Sequence, residues 1–581
     1  MRFPSLTALA DRATAVARRF PWTLAAAAVT ATAAIIASKN QDDIFWVRAT
    51  FVAALALPLT VALTLVAEVR RWQPLRRTGA LLIGVLALVL FFRSWPTIDA
   101  PQHAIRYFQL AVALHLVVAF LPLLGNRNTT AFWQYNRRLF LGFLRAVVFS
   151  GVLFVGLAIA LGALDRLFGV AVSNDSYLHV WFVLAFVGNS WIFLATVPED
   201  VAALAHDREY PRALKVFAQY ILTPLAFGYL LILLAYLIKI VAGGEWPNGW
   251  IGWLVASVAV TGMLGFLLVE PLRADPEEGW IRIYARGLFL GLIPAALMLL
   301  VAFWKRIEPY GLTEPRTLGL LLGFWLLGIA VLFAVRPATS IKTIPVALAL
   351  LLLLTLYGPL SVTQLSIGSQ GRRFAAMLRA GSANDGPAEA SAALRFLIDH
   401  HADAEIAARL GKPLPMIAWD SVSQRGAGRD LLGVRLMALA GATYQREGTP
   451  RLSKAGDFSI GSDRGTAVSI AGFAWLLPLN SNVSTSALAG SDSVRVLEGR
   501  DHGLVNILVG RDTLHFDLRP LVARYRDSLP SSGAAPESWF RVTARAGSRR
   551  AELALQQLNG KQAADSLRIV FWNGRLLLGE R

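Results

Sequence analysis

Long apolar runs, each closed by charged or aromatic residues, fill the chain up to about residue 365. Crossing a bilayer as a helix takes about 20 such residues. Eleven stretches meet the pattern, at 20–38, 45–69, 78–92, 105–125, 139–163, 177–197, 216–243, 250–272, 286–304, 317–335 and 343–365. They do not alternate in the period of two that a barrel strand requires, so the pattern predicts helices. The first run, short, alanine-rich and preceded by Arg18 and Arg19, also fits a cleavable secretory signal. Cleavage would leave ten spans with the same orientation.

After Gln364 the pattern changes. Short helices are expected at 374–380, 389–410 and 431–440. Strand-like runs follow at 467–477, 494–497, 505–509, 513–518, 540–544, 567–571 and 575–578, with Asn573-Gly574 as a hairpin turn between the last two. The expected architecture is an all-α polytopic transmembrane bundle of about 11 helices followed by a small soluble α+β domain. Its parts are an N-terminal segment (1–19), interfacial or cytoplasmic, the membrane bundle (20–365) and the soluble domain (366–581), which is long enough to bury its own core.

Composition agrees with this reading. Mean hydropathy is +0.52, and with 55% hydrophobic and 16% charged residues the chain carries more apolar surface than a water-soluble core can hide. A net charge of +18 raises the question of nucleic acid, but the basic residues sit at the ends of the apolar runs and form no exposed arm. No nucleic-acid partner is therefore expected; the expected partner is the lipid bilayer, with an envelope ligand or protein beside it. Connecting segments on the N-terminal side hold 19 Arg and Lys, including Arg70, Arg71, Arg76, Arg77, Arg137, Arg138, Arg273 and Lys342, against 8 in the alternate set. The excess of basic residues marks the cytoplasmic side, so the N-terminus is expected inside and, after eleven spans, the C-terminal domain outside. Cysteine is absent, which excludes disulfides, thiolate metal sites and a cysteine nucleophile.

Several motifs occur in order: Trp133-Gln134-Tyr135-Asn136-Arg137-Arg138-Leu139-Phe140, Leu164-Asp165-Arg166-Leu167-Phe168-Gly169, Pro198-Glu199-Asp200, Arg208-Glu209-Tyr210-Pro211, Gly244-Glu245-Trp246-Pro247 and Tyr310-Gly311-Leu312-Thr313-Glu314. Through them residues 130–365 resemble the bacterial membrane-protein family catalogued as domain of unknown function 4153. The resemblance implies a bacterial inner-membrane protein and carries no activity, substrate or catalytic residue with it.

Charged groups at membrane depth are candidates for function. Arg145 is the deepest basic residue, and His115 lies near the middle of its span with a side chain that titrates near neutral pH. On the outer side the stretch 305–316, read as a loop, alternates charge around Tyr310 and Gly311. Either it docks the soluble domain through Glu314 and its neighbours, or it lines a site with Asp165, Arg166 and Glu245. The sequence Asp399-His400-His401-Ala402-Asp403 has metal-type side chains, but adjacent histidines on a helix point apart, so no metal site is expected. No cofactor fingerprint is present. The leading expectation is a non-enzymatic membrane protein anchoring an extracytoplasmic sensing or binding domain. Its rivals are a transporter or channel with a midplane site at helices kinked at Pro224 or Pro294, and a membrane-embedded enzyme on a lipid-linked substrate using Asp165, Glu245 or Glu314.

Overall fold

A computed structural model of the chain describes residues 6–40, 43–95, 100–126, 128–201, 203–244, 251–273, 275–380, 386–412, 414, 427–442, 444, 457–461, 473–480, 487–489, 492–497, 504–522, 540–546, 549–563 and 566–579. Glu245, Trp246, Trp250 and residues 467–472 lie outside them. The chain divides into two units, one of Met1–Gln370 with Asp399–Glu405, the other of Gly371–Ile398 with Ile406–Arg581.

In the first unit the apolar runs become helices. After α1 (Leu6–Arg19) come α2 (Pro21–Lys39), α3 (Ile44–Val69), α4 (Pro74–Arg93), α5 (Pro101–Phe120) and α6 (Thr129–Phe168). There follow α7 (Asn174–Leu194), α8 (Arg212–Gly243), α9 (Ile251–Val269), α10 (Trp280–Tyr310) and α11 (Glu314–Val335). Among the described residues, the ten helices from α2 to α11 are long and apolar enough to cross a membrane. Proline at the first turns of α2, α4, α5 and α11 starts each where its missing N–H costs nothing. Large apolar side chains such as Leu82, Ile83, Phe149, Val152, Ile159, Ile232 and Val260 are exposed on these helices, as lipid-facing surface must be.

The eleventh run behaves differently. Helix α12 (Thr343–Leu354) is only twelve residues long, a rise of about 18 Å. The chain then leaves helical geometry at 355–361, where Gly358 takes φ +83°, and resumes as α13 (Val362–Ala380). Gly368, Gly371, Arg372 and Arg373, beyond the expected end of the eleventh run at 365, lie inside α13. The interrupted segment still passes from one end of the bundle to the other. Lys342 donates to the Asn126 carbonyl at its start, Thr355 accepts from the Gln109 amide partway along α5, and the Tyr357 hydroxyl meets Ser94, past the far end of α4.

Hydrogen bonds sort the connecting segments by end. At the basic end the Arg19 guanidinium pairs with Glu68 at 2.8 Å and donates to the Val197 and Pro198 carbonyls. Arg70 donates to Leu124 O, and Arg273 to Pro337 O. The first turns of α6 carry the most donors. Trp133 donates from its indole to Leu267 O at 2.7 Å and stacks on Tyr210, whose hydroxyl donates to Leu268 O. The Tyr135 hydroxyl donates to Val118 O and the Asn136 amide to Ala119 O. These four carbonyls belong to the last turns of α5 and α9, which have no intrahelical partner. Gln134 donates to the Asp207 and Glu209 carbonyls, while Arg137 and Arg138 reach the Asp207 carboxylate at 3.6 and 2.9 Å. The WQYNRR motif is thus a helix-end clasp in the first turns of the 40-residue α6.

Among the described residues, the second unit holds most of α14 (Gly386–Asp399) and α15 (Asp403–Leu410), with α16 (Ala427–Leu439) and nine strands. The range 389–410, expected as one helix, is split at His401, whose φ is +50°. Strands β1 (Asp457–Gly461), β2 (Trp475–Asn480), β7 (Arg541–Ala546), β8 (Arg549–Ala563) and β9 (Ser566–Leu578) form one antiparallel sheet in the order β1-β8-β9-β2, with β7 also on β8. Strands β3 (Ala487–Ala489), β4 (Asp492–Leu497), β5 (Leu504–Val509) and β6 (Asp512–Asp517) form a second. Val494, Ile507, Phe516, Leu553, Trp572 and Leu576 meet in a common core. The hairpin expected at Asn573-Gly574 does not form; β9 runs straight through both residues against β8. Gly574 is there for space, since a Cβ at this position would lie 2.6 Å from the Ala554 carbonyl oxygen.

Replacing Tyr135 by phenylalanine leaves the buried Val118 carbonyl without its donor, a loss of about 1–3 kcal/mol expected as a lower thermal midpoint of the detergent-solubilised protein. Burial opposes the charge on Asp207, but the Glu209 N–H, the Arg138 guanidinium and the nearby Arg137 charge hold its carboxyl below its ordinary range. A depressed folded-state pKa contributes stability that is full above the unfolded value of about 4 and is lost as pH falls through the folded one. Unfolding followed against pH should therefore show an acid-side loss in the wild type that is smaller in Asp207→Asn.

Candidate functional site

The bundle end opposite the basic loops collects polar side chains that the helices do not need for their own hydrogen bonding. Helix α5 opens with Pro101 and sets His103, Arg106 and Gln109 three residues apart, hence on neighbouring parts of one face, with Gln102 four residues before Arg106. Helix α11 opens with Glu314, whose carboxylate in the first turn complements the helix dipole while the Thr313 side chain makes no cap. The approach to Glu314 is fixed by Gly311, whose φ of 67° and ψ of 177° suit glycine alone. From α13 the Gln370 amide holds the Tyr310 and Leu312 carbonyls at 2.9 and 2.8 Å, Ser369 Oγ accepts from the Leu312 N–H, and Ser366 and Thr317 bond through their hydroxyls.

Glu314 is 2% exposed and His400 5% exposed, and the His400 Nε2 to Glu314 Oε1 distance is 2.5 Å. His400 belongs to Asp399–Glu405, a stretch that folds with the bundle although it lies in sequence between α14 and α15. Gln102 donates to the backbone carbonyl of His400 at 3.4 Å. Buried His103 stacks on Trp95, and the charges of Arg106, His401, Arg48 and His400 act on it. The Arg106 guanidinium lies 5.0 Å from the centre of the Tyr357 ring. An open cleft of about 480 Å³ runs beside it, lined by Arg106, Tyr357, Gly358, Pro359, Ser361 and Gln364.

Of the candidate site residues named from the sequence, Glu314 falls in this cluster as a buried side chain, beside His400, which was considered there only as a metal ligand. Tyr310 is exposed and contributes its carbonyl, and 305–310, read as a loop, forms the last turns of α10. His115 is exposed and folds back on its own helix at Ala111 O, and Arg145 is exposed on α6. Asp165 and Arg166 are exposed at the end of α6, where Asp165 accepts from the Val172 N–H. Glu245 is outside the described residues. Pro294 sits within an uninterrupted α10, and Pro224 follows a wide turn of α8 without breaking it. His103, Arg106 and the Glu314–His400 pair were missed as a group. A turn-start Pro-Gln-His-x-x-Arg run was the available signal for α5, whereas nothing in the sequence joins positions 86 residues apart.

Removing one member of a buried hydrogen-bonded pair leaves the other unsatisfied. Glu314→Ala and His400→Ala should each cost about 1–3 kcal/mol, and the double substitution less than the sum, as a double-mutant cycle on thermal unfolding would report.

The family described as "Domain of unknown function (DUF4153)" matches residues 24–367. The chain is also similar to "Uncharacterized protein PM1469" of Pasteurella multocida strain Pm70, at 24% identity over 179 residues, 30% of this chain and 29% of that protein. The aligned part is thus less than a third of the relative's length. No solved structure matches. The family match takes in α3 to α12, the clasp at the start of α6 and the α5, α11 and 355–361 parts of the polar cluster, and the chain belongs to this family of multi-pass membrane proteins.

Proposed function

We propose that this is a bacterial inner-membrane protein whose bundle carries an extracytoplasmic C-terminal domain that senses or binds a component of the envelope. The observation that carries the reading is the Asp399–Glu405 stretch, which is part of the bundle unit while the chain on either side of it, Gly371–Ile398 and Ile406–Arg581, belongs to the other. A passive anchor needs one or two helices and no such return. Here a buried His400–Glu314 pair ties the return to α11. Support for the orientation comes from the gathering of Arg19, Arg70, Arg77, Arg273 and Lys342 at one end of the bundle. Support for an odd number of passages comes from the interrupted eleventh segment.

The same interrupted segment favours a second reading, transport, because non-helical backbone within a membrane protein commonly lines a solute site. That site would centre on 355–361 and Arg106. His115 and Arg145, both exposed, give it no support. An enzymatic reading draws nothing from Asp165 and Glu314, one exposed and the other engaged by His400.

The test is a pair of fusions after Arg581, alkaline phosphatase in one and green fluorescent protein in the other, expressed in a bacterial host. Phosphatase activity with a dark fluorescent fusion is the expected result. A fluorescent fusion without phosphatase activity would put the C-terminal domain in the cytoplasm and end the envelope-sensing reading.

A further inference from the structure

A guanidinium taken out of bulk water needs counter-charge or hydrogen-bond acceptors to offset its lost hydration. Arg106 has neither in full. Its Nε is buried without a hydrogen-bond partner, and among the described residues no carboxylate lies within ion-pairing distance of it. Its neighbour is the Tyr357 ring, a cation–π interaction that engages the face of the guanidinium and leaves its edge donors free for a ligand. Glu314 is close enough for its charge to act on Arg106, but its carboxylate is held by His400.

The space in front of this arginine is shaped by the break in the eleventh segment. Gly358, with φ +83°, has open space where a Cβ would be, so a ligand can approach the backbone there. Ser361 caps α13 through the Gln364 N–H, which turns the positive end of that 19-residue helix toward the cleft. The lining supplies donors from Arg106, Tyr357, Ser361 and Gln364. Arg48 adds a further positive charge behind them, and Asp399, Asp403 and Glu405 are engaged in contacts of their own. An open, donor-rich, electropositive cleft at a bundle end suits an anionic oxygen group that can take the arginine fork in two places.

We propose that the Arg106 cleft binds a phosphate group, held by the guanidinium fork against the 355–361 turn. A phospholipid headgroup and a soluble phosphate ester share this chemistry. The site stands whichever side of the membrane it faces, so it does not depend on the topology proposed above.

The test uses the full chain in two arms. In the first, the protein is purified from nanodiscs of phosphatidylcholine with or without phosphatidylglycerol, and retained anionic lipid is counted by native mass spectrometry. In the second, the detergent-solubilised protein is titrated with glycerol 1-phosphate and inorganic phosphate, and the thermal midpoint is followed. We expect binding in at least one arm, weakened about tenfold or more by Arg106→Gln and less by Arg106→Lys, which keeps the charge but not the fork. Binding in the lipid arm alone identifies a headgroup, and binding in the other alone a soluble ester. Should Arg106→Gln fail to fold, Tyr357→Leu, which removes the ring beneath the guanidinium, carries the same expectation of weakened binding. No binding by the wild type in either arm, or equal binding by the folded variants, overturns the proposal.

Discussion

Every helix in an apolar surrounding ends with carbonyls that its own backbone cannot satisfy and that lipid cannot hydrate. In this bundle one turn and a half of one helix meets the obligation for α5 and α9. Trp133, Gln134, Tyr135 and Asn136 each donate to a carbonyl of another segment, and Arg137 and Arg138 neutralise the acidic loop beside them. Consecutive residues on a helix point in different directions, so a run of four donors can serve α5 on one side, α9 on another and the 207–209 loop on a third. Remove that run and the packing of at least three segments loses its polar closure together.

The opposite end is built by a different rule. There the polar groups exceed what the helix ends require, and several of them look at each other or at a cleft. Glu314 and His400 form the most enclosed pair, and Arg106 is the most exposed to an incoming group. Proteins tolerate such a surplus of uncompensated polarity where a ligand or a moving part supplies the balance.

How far the sequence revealed this depends on the range over which each signal acts. Apolar runs are local and strong, so α2 to α11 could be located from them, with boundaries off by a few residues at most ends, by six at both ends of α10 and by ten at the start of α6. The eleventh run was equally apolar, yet α12 stops at Leu354, because Gly358 and Pro359 break the helix and Val362 bonds back to Thr355, a preference that average hydropathy does not register. Asn573-Gly574 is a strong turn signal in isolation, overridden by thirteen residues of pairing with β8 and by the close approach of Ala554 to Gly574. The motif at 133–138 was visible as a motif, but its purpose was not, since its partners are distant carbonyls that leave no trace in residue identity. The Glu314–His400 pair was hidden for the same reason.

Helix α12 also bears on the order of events during biogenesis. A stretch of twelve apolar residues is too short to partition into a bilayer as a separate element, and the polar 355–361 turn behind it raises the barrier further. Its support is α5, joined to it by Gln109 and Thr355 across 246 residues of intervening chain. Its place in the bundle therefore exists only once the early helices have gathered, which makes the packing of this last segment the closing step of the bundle's assembly.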